Sequence, residues 1–233
     1  MAEVVIQWPA DLLTPAECRP NVNPFSRSGG RTLGGLKPAV RTDLGFWSIE
    51  LLDIPVHSRA QRRTWEAISQ KLSGSAGLIA VPAWSQDTAP YVSGRFEPEI
   101  ETPHSDDSMF DDGTPYTQGA ISVVTDGVTP VGATSIRLRI INAAADLVGV
   151  RFSYQHALYK TGPVISVDGD IWTLPISPTV RALIPAGADL EFDRPTCICR
   201  LENDRGMDGG VDVVPFERRS VSFVEAADYW STL

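Results

Sequence analysis

The sequence predicts a mainly β protein of the α+β class, with one helix and a small β-barrel or sandwich in its second half. Three observations support this prediction. From residue 118 onward, short runs of alternating apolar and polar residues recur about every ten residues, separated by Gly, Pro and Asp. One segment, near residues 58–74, has helical periodicity instead. The most glycine-rich stretch, residues 26–40, lies between two segments with strand character.

Two strands are predicted in the first sixty residues. The segment EVVIQWP (3–9) is rich in β-branched and aromatic residues, which favour strands. The segment AVRTDLGFWSIELLDI (39–54) has the period of two that places alternate residues on one face of a strand. That predicted face consists of Trp47, Ile49 and Leu51.

The glycine-rich stretch SRSGGRTLGGLKPAV (26–40) matches neither phosphate-binding glycine motif. No helical pattern follows it, as a phosphate cradle at a helix N-terminus would require. We therefore interpret it as a long, flexible β-hairpin or arm whose glycines and cations let it lie across a neighbouring surface.

A single helix is predicted in HSRAQRRTWEAISQKLSG (57–74). Ser58 and Gln61 have the spacing of a capping box, and Gly74 stands where a C-terminal cap belongs. Three apolar residues share one stripe of this helix: Trp65, Ile68 and Leu72.

The middle of the chain predicts a short strand followed by a long loop. GLIAVPAW (77–84) predicts a short strand or extended edge, interrupted by Pro82. Residues 85–117 are rich in Pro, Asp and Ser, and loops of this length are usually functional or linking.

Nine short strands are predicted between residues 118 and 203. They are AISVVT, SIRLRII, VRFSY, HALYK, PVISVD, DIWTL, VRALI, ADLEF and TCICRL. The Asp-Gly in SVDGDIW is a strong hairpin signal. The turn-rich NDRGMDGGVD (203–212) marks a boundary, and RRSVSFVEAADYW predicts one further strand.

Charge and composition exclude several function classes. The net charge is −9, and residues 96–136 hold eight Asp/Glu and no Lys/Arg. This balance argues against a dedicated nucleic-acid binder, which needs clustered cations. No transmembrane run and no signal peptide are predicted. Three cysteines do not form a disulfide framework, so we expect a soluble protein made in a reducing cytoplasm.

The residues that could carry chemistry do not assemble into a recognised motif. His104, Asp106 and Asp107 could bind a cation weakly, but the acids of DDSMFDDG do not have the spacing of an EF-hand, and a solvated acidic loop is favoured. His57 and His156 have no G-x-S-x-G companion, and Cys18, Cys197 and Cys199 are too few for a structural zinc site. We predict no catalytic residue, metal or cofactor.

An ordered series of short motifs carries a resemblance. The chain begins with WPADLLTPAECRPNVNPFSRSGG, then GFWSIELLDIP and a helix. It continues through GVRFSYQHALYK and GDIWTLPISPTVRALIPAGADLEFDRPTCICRLEND to VSFVEA. This order resembles the distal tail proteins, or closely related minor tail proteins, of the tail tip of siphophages and prophages. The resemblance covers nearly the whole chain and is poorest at residues 97–113.

The resemblance implies a structural virion protein and not an enzyme. It implies a ring, commonly a hexamer, that joins the tail tube to the baseplate hub of a bacteriophage after assembly in the host cytoplasm. A tail-tube-like β-sandwich with one helix would comprise residues 1–117 together with 204–233, and residues 118–203 would form an inserted small β-barrel. Subunits would meet through the arm, at Arg27, Gly29, Gly30, Arg31, Leu33, Leu36 and Lys37.

A second hypothesis is a carbohydrate-binding tail module that contacts the host surface. Its ligand-facing residues would be Trp172 or Tyr159 in the inserted barrel, with the alternative that both are core residues. A tail-tip hydrolase has no residues to support it.

Overall fold

The structure is a computed structural model that describes residues 5–28, 30–31, 33–35, 39–85, 87–98, 100–102, 116–209 and 217–232. It confirms the prediction of a mainly β fold with one α-helix. The described residues form two six-stranded sheets and one two-stranded sheet, and one of the sheets curls into a half-barrel. None of the described helices combines the length and apolar character needed to cross a membrane.

Fourteen strands are present in the described residues. In chain order they are β1 (Ile6–Gln7), β2 (Glu17–Ser28), β3 (Ala39–Val56), β4 (Ile79–Pro82), β5 (Ile100–Thr102), β6 (Tyr116–Gln118), β7 (Ser122–Thr125), β8 (Ser135–Asn142), β9 (Arg151–Tyr154), β10 (Ala157–Thr161), β11 (Ser166–Asp168), β12 (Ile171–Ser177), β13 (Thr196–Leu201) and β14 (Glu217–Glu225). The first sheet has the order β1-β4-β13-β14-β3-β2, and the second has the order β7-β8-β12-β10-β9 with β11 also paired to β12.

The helix α1 (Arg59–Leu72) forms as the sequence predicts at its N-terminus. The Ser58 hydroxyl accepts a hydrogen bond from Gln61 N, and the Gln61 side chain accepts one from Ser58 N. At the C-terminus, the left-handed cap residue is Ser73, with φ 49°, and Gly74 follows it at φ 78°. The predicted cap is therefore one residue too late. Short 3₁₀ helices lie at Gly74–Ala76 and Ala227–Thr232.

The first core lies between α1 and the first sheet. The predicted helix stripe of Trp65, Ile68 and Leu72 is buried there, as is the predicted β3 face of Trp47, Ile49 and Leu51. Trp8 packs edge-on against Trp65, with ring centroids 6.2 Å apart. A second core fills the second sheet around Phe152, Tyr159 and Phe192.

Strand β13 belongs to the first sheet, although the predicted domain division placed its residues in the inserted barrel. β13 lies inside the segment 118–203, yet it pairs with β4 on one side and β14 on the other. Its alternation predicted a strand correctly, but strand partners depend on distant residues that alternation does not encode. The closing strand β14 returns to the first sheet, as expected. Whether the second sheet is an autonomous unit stays a prediction.

The chain leaves and re-enters the first sheet at one point. Thr196 in β13 is the register partner of Pro82 in β4, and Ala83 N donates to Pro195 O at 2.8 Å. Residues 84–194 are therefore inserted between two neighbouring antiparallel strands. The second sheet lies entirely within this insertion.

Three further expectations differ from the structure. Strands β5 and β6 form a small hairpin inside the predicted loop 85–117, because three-residue strands are too short to show alternation. VRALI and ADLEF make only the isolated bridges of Ile184, Asp189 and Glu191, in a segment punctuated by prolines, which lack the N–H a strand ladder needs. The first strand is two residues long within the described part of 3–9.

Candidate assembly hairpin and junction groove

Strands β2 and β3 form a hairpin that extends past the body of the first sheet. Their register runs from Glu17 opposite Leu52 to Ser28 opposite Ala39. The strand β14 pairs with β3 only over Ser48–Val56. Beyond that point, the described residues of the hairpin form a two-stranded ladder with no third strand.

A bulge between Asn23 and Phe25 bends this hairpin near its base. The extra residues are in β3, where residues 43–45 stand against the single residue Pro24 of β2. Gly45 is one of them, and a Cβ atom on it would stand 3.0 Å from the Asn23 carbonyl oxygen and 3.2 Å from Val22 Cγ1. Bulges bend the strand that carries them and increase its twist. Gly45 therefore permits the close approach through which the hairpin leaves the sheet.

The predicted interface residues lie at or near the hairpin tip. Arg27 is in β2, opposite Val40. Gly30, Arg31 and Leu33 are exposed, and Leu33 is not covered by any of the described residues. Three predicted residues lie outside the described residues: Gly29, Leu36 and Lys37.

The two candidate ligand-facing aromatics differ in burial, and Tyr159 has the core environment that was the alternative prediction. Tyr159 is wholly buried in the second core, and its hydroxyl accepts a hydrogen bond from Arg181 N at 2.9 Å. Burial raises the pKa of Tyr159 to about 12. Trp172 is half-buried against the same core. Because Tyr159 is buried, it is a core residue and cannot face a ligand. Alternation in a sequence shows which residues share a face of a strand, but it does not show which face is covered.

The structure does not test the candidate metal ligands. His104, Asp106 and Asp107 lie outside the described residues, and within those residues no group of three or more acidic, His or Cys side chains could hold a metal ion. Cys197 and Cys199 are buried small side chains in β13, as expected, and no cysteine forms a disulfide.

The two sheets are joined by buried polar contacts that the sequence did not indicate. Arg181 forms an ion pair with Glu225, which also accepts a hydrogen bond from Trp47 N at 2.9 Å. The Trp47 indole N–H donates to Leu158 O at 2.7 Å. These partners are 44 to 178 residues apart in sequence, so no local pattern could reveal them.

A groove is lined by residues of both sheets, away from these contacts, and we call it the junction groove. Its larger cleft has a volume of about 590 Å³ and its smaller one about 160 Å³. The two clefts share the lining residues Ala10, Asp11, Pro82 and Arg194. Trp8 and Ala80 line the larger cleft, and Trp84 lines the smaller one. The two clefts are therefore neighbours, and the half-buried Trp84 is the more exposed of these three apolar residues, since Trp8 and Ala80 are buried.

Polar side chains surround the larger cleft, and two of them, His156 and Glu191, make hydrogen bonds that orient them. His156 Nδ1 lies 2.7 Å from Thr196 Oγ1, and burial lowers the pKa of this histidine from its ordinary value of 6.5. Glu191 Oε1 accepts a hydrogen bond from Arg194 N at 2.8 Å. Asp11 is exposed and has no hydrogen-bond or ion-pair partner among the described residues. These groups present both donors and acceptors to one space.

The backbone around the groove is unusual. Gln155 and His156 form the turn between β9 and β10 with φ values of 48° and 69°. Such a turn favours Asn-Gly, because other side chains are strained at positive φ. Trp84 has φ 25°, which is an outlier for a bulky residue. The sequence offered one signal of this: Gln-His stands between two strands where a turn residue is expected.

No protein-family model matches the sequence, and no curated protein matches it either.

Proposed function

We propose that this chain is a structural protein of a bacteriophage tail tip that assembles into a homo-oligomeric ring. The ordered motifs that resemble distal tail proteins support this proposal. The observation that carries it is the β2–β3 hairpin, which continues past the last β14 partner of β3 at Ser48. An isolated two-stranded hairpin is marginally stable in water. A long hairpin of this kind therefore favours a partner that covers it.

A neighbouring copy is the partner that the hairpin fits best. The hairpin has open backbone donors and acceptors along its outer edges, which can add to another sheet. A contact between two different surfaces of identical subunits repeats head to tail and closes into a ring when the rotation permits. The cations Arg27, Arg31 and Lys37 would face acidic surface, such as residues 97–112 of the neighbour. Their attraction is screened beyond about 8–10 Å at physiological salt.

The proposal has further parts. The ring, a hexamer by resemblance, would join the tail tube to the hub at the tail tip, so that the chain works in the virion without enzymatic activity or a cofactor. Carbohydrate binding through Tyr159 is not carried forward, because that side chain is buried.

Shortening the hairpin tests the proposal. In the variant, residues 29–38 are replaced by Asn-Gly, which can connect the paired residues Ser28 and Ala39 as a tight turn. A matched control keeps the tip length but replaces the side chains of residues 30–35 by Gly and Ser. Sedimentation should give a multiple of 25.3 kDa for the intact chain. The shortened variant should sediment as a single chain, whose mass is lower by the eight residues it lacks. This control changes the tip side chains and keeps the number of residues in the tip, so it separates the effect of the side chains from the effect of the tip length.

Two results would contradict the proposal. An intact chain that remains monomeric at its highest soluble concentration would remove the ring. A shortened variant that forms assemblies of unchanged size would show that the hairpin tip does not join subunits. Circular dichroism of both variants verifies that the fold is intact in each comparison.

A further inference from the structure

We propose that a groove between α1 and β1 is a docking surface for an acidic amphipathic helix of a partner protein. This groove, which we call the α1–β1 groove, has a volume of about 560 Å³. Its apolar lining residues are Ile6, Pro9, Ala67 and Ile68. The surface is separate from the β2–β3 hairpin, and the inference does not depend on ring assembly.

The groove follows the axis of the helix. The residues that α1 contributes are Arg63, Thr64, Ala67, Ile68 and Lys71. Their spacing places them on one stripe of the helix. The stripe is about 12 Å long, since a helix rises about 1.5 Å per residue, and this length matches about two turns of a second helix.

The apolar residues that a partner could cover lie on both sides of the groove. Ile6 and Pro9 are half-buried on the β1 side, and Ala67 is exposed on α1, whereas Ile68 is only 7% exposed. Ala67 is small and lies in the middle of the stripe, so another helix can approach α1 closely at this point. The groove therefore offers a short apolar contact surface along α1.

The charges at the start of α1 do not follow the rules that stabilise a helix. Arg59, Arg62 and Arg63 lie near its N-terminus, and its first turn contains no acidic residue. The helix dipole favours acidic residues at this end. Arg59 and Arg63 are also four residues apart, a spacing at which like charges repel. Departures of this kind from local rules are expected at functional sites, and here they indicate an anionic partner.

The cations beside the groove have no partner of their own. Arg59, Arg63 and Lys71 make no hydrogen bond or ion pair with any of the described residues. The one acidic residue of α1, Glu66, lies 3.3 Å from Arg219 of β14. Carboxylates of a partner can supply the missing counter-charges. The whole chain has a net charge of −9, so an acidic partner is attracted to this surface and not to the chain in general.

The combination of apolar and cationic residues selects the occupant. Two copies of this face would bring the same cations against one another, so the face is not self-complementary. A nucleic-acid backbone would supply negative charge but nothing apolar to cover Ile6, Pro9 and Ala67. An amphipathic helix places its apolar stripe in the groove and its carboxylates along the margin, next to Arg63 and Lys71.

Fluorescence anisotropy with the full chain tests the proposal. The probe is a labelled synthetic helical peptide as long as α1, with Leu on one face and Glu on the others. We expect it to bind, and to bind more weakly as the salt concentration rises, because the groove cations are exposed. Arg63→Glu combined with Lys71→Glu should weaken binding by about tenfold or more, since two attractions become repulsions. Lys160→Glu combined with Arg205→Glu makes the same change in net charge at exposed positions elsewhere and should leave binding unchanged.

Two further peptides separate the two parts of the recognition. A peptide with Lys in place of Glu should not bind, and a peptide with Ser in place of Leu should bind more weakly than the first probe. A DNA duplex of the same length serves as the nucleic-acid probe and should also bind more weakly.

Four outcomes would overturn the proposal. They are no binding of the acidic amphipathic peptide, equal binding to the groove variant and its control, equally tight binding of the Lys or Ser peptide, and tighter binding of the DNA duplex. Thermal unfolding verifies that both double variants are folded. Arg63→Glu adds an acidic residue near the helix N-terminus and removes no bond among the described residues, so this single variant keeps the test decisive if the double variant is unstable.

Discussion

Arg181 and Glu225 form a buried ion pair that ties the segment after β12 to the last strand of the first sheet. Arg181 Nε lies 2.8 Å from Glu225 Oε1, and the side chains are 11% and 2% exposed. The other carboxylate oxygen accepts hydrogen bonds from Trp47 N and from Arg181 Nη2. Every oxygen of this buried carboxylate is therefore partnered, which is the condition for tolerating a charge in the interior.

Arg181→Ala should destabilise the protein by about 3–5 kcal/mol, because it leaves the Glu225 charge buried without its partner. Urea denaturation measures the change in the free energy of unfolding. The double variant Arg181→Met with Glu225→Gln should recover most of the loss, since it removes both charges. The exposed Arg205–Asp208 pair is the control, and Arg205→Ala should be nearly neutral. If Arg181→Ala leaves the free energy of unfolding unchanged, the ion pair does not hold the sheets together.

Trp65→Ala should lower the free energy of unfolding by about 3–5 kcal/mol, because the ring is 1% exposed and its removal leaves a cavity. Trp65→Phe should lower the free energy of unfolding by less, since Phe keeps an aromatic ring in the same place. Its remaining cost includes the lost hydrogen bond from Nε1 to Met207 O. Gln70→Ala on the exposed face of α1 serves as the control, expected within about 0.5 kcal/mol of the parent. A Trp65→Ala cost in that same small range would refute docking of α1 through this side chain.

Removing the insertion should leave a folded first sheet. In this variant Asn-Gly replaces residues 84–194 and joins Ala83 to Pro195, whose backbone atoms are already hydrogen-bonded. Glu225→Gln is included because Arg181 leaves with the insertion. We expect circular dichroism to retain the α1 signal and urea to give a cooperative transition. A spectrum without helix would show that the first sheet depends on the second.

The free energy of unfolding should decrease as the pH falls below 6.5, because His156 titrates in this range. Its folded-state pKa is lowered by burial from 6.5, so below pH 6.5 the unfolded chain binds a proton that the folded chain resists. The contribution is thus fully present above pH 6.5 and is lost as the pH falls through the folded-state pKa. His156→Asn should flatten this part of the pH profile of the free energy of unfolding. His57→Asn is the control, and an equal flattening there would contradict the assignment.

Local patterns in the sequence determined local structure in this protein. The capping box at Ser58 and Gln61 fixed where α1 begins, because the cap bonds lie within one turn. The Asp168-Gly169 signal fixed the β11–β12 hairpin, whose Gly169 adopts φ 61°. The alternation around Trp47 fixed which face of β3 is buried. The mainly β class with one helix follows from the sum of such patterns.

The tertiary structure alone decided which elements meet. It placed β13 between β4 and β14, buried Tyr159 and paired Arg181 with Glu225 across the two sheets. It also brought Asp11, His156 and Arg194 around one groove, although they are far apart in sequence. Alternation and capping depend on neighbours along the chain, whereas strand partners and burial depend on the free energy of packing distant residues together.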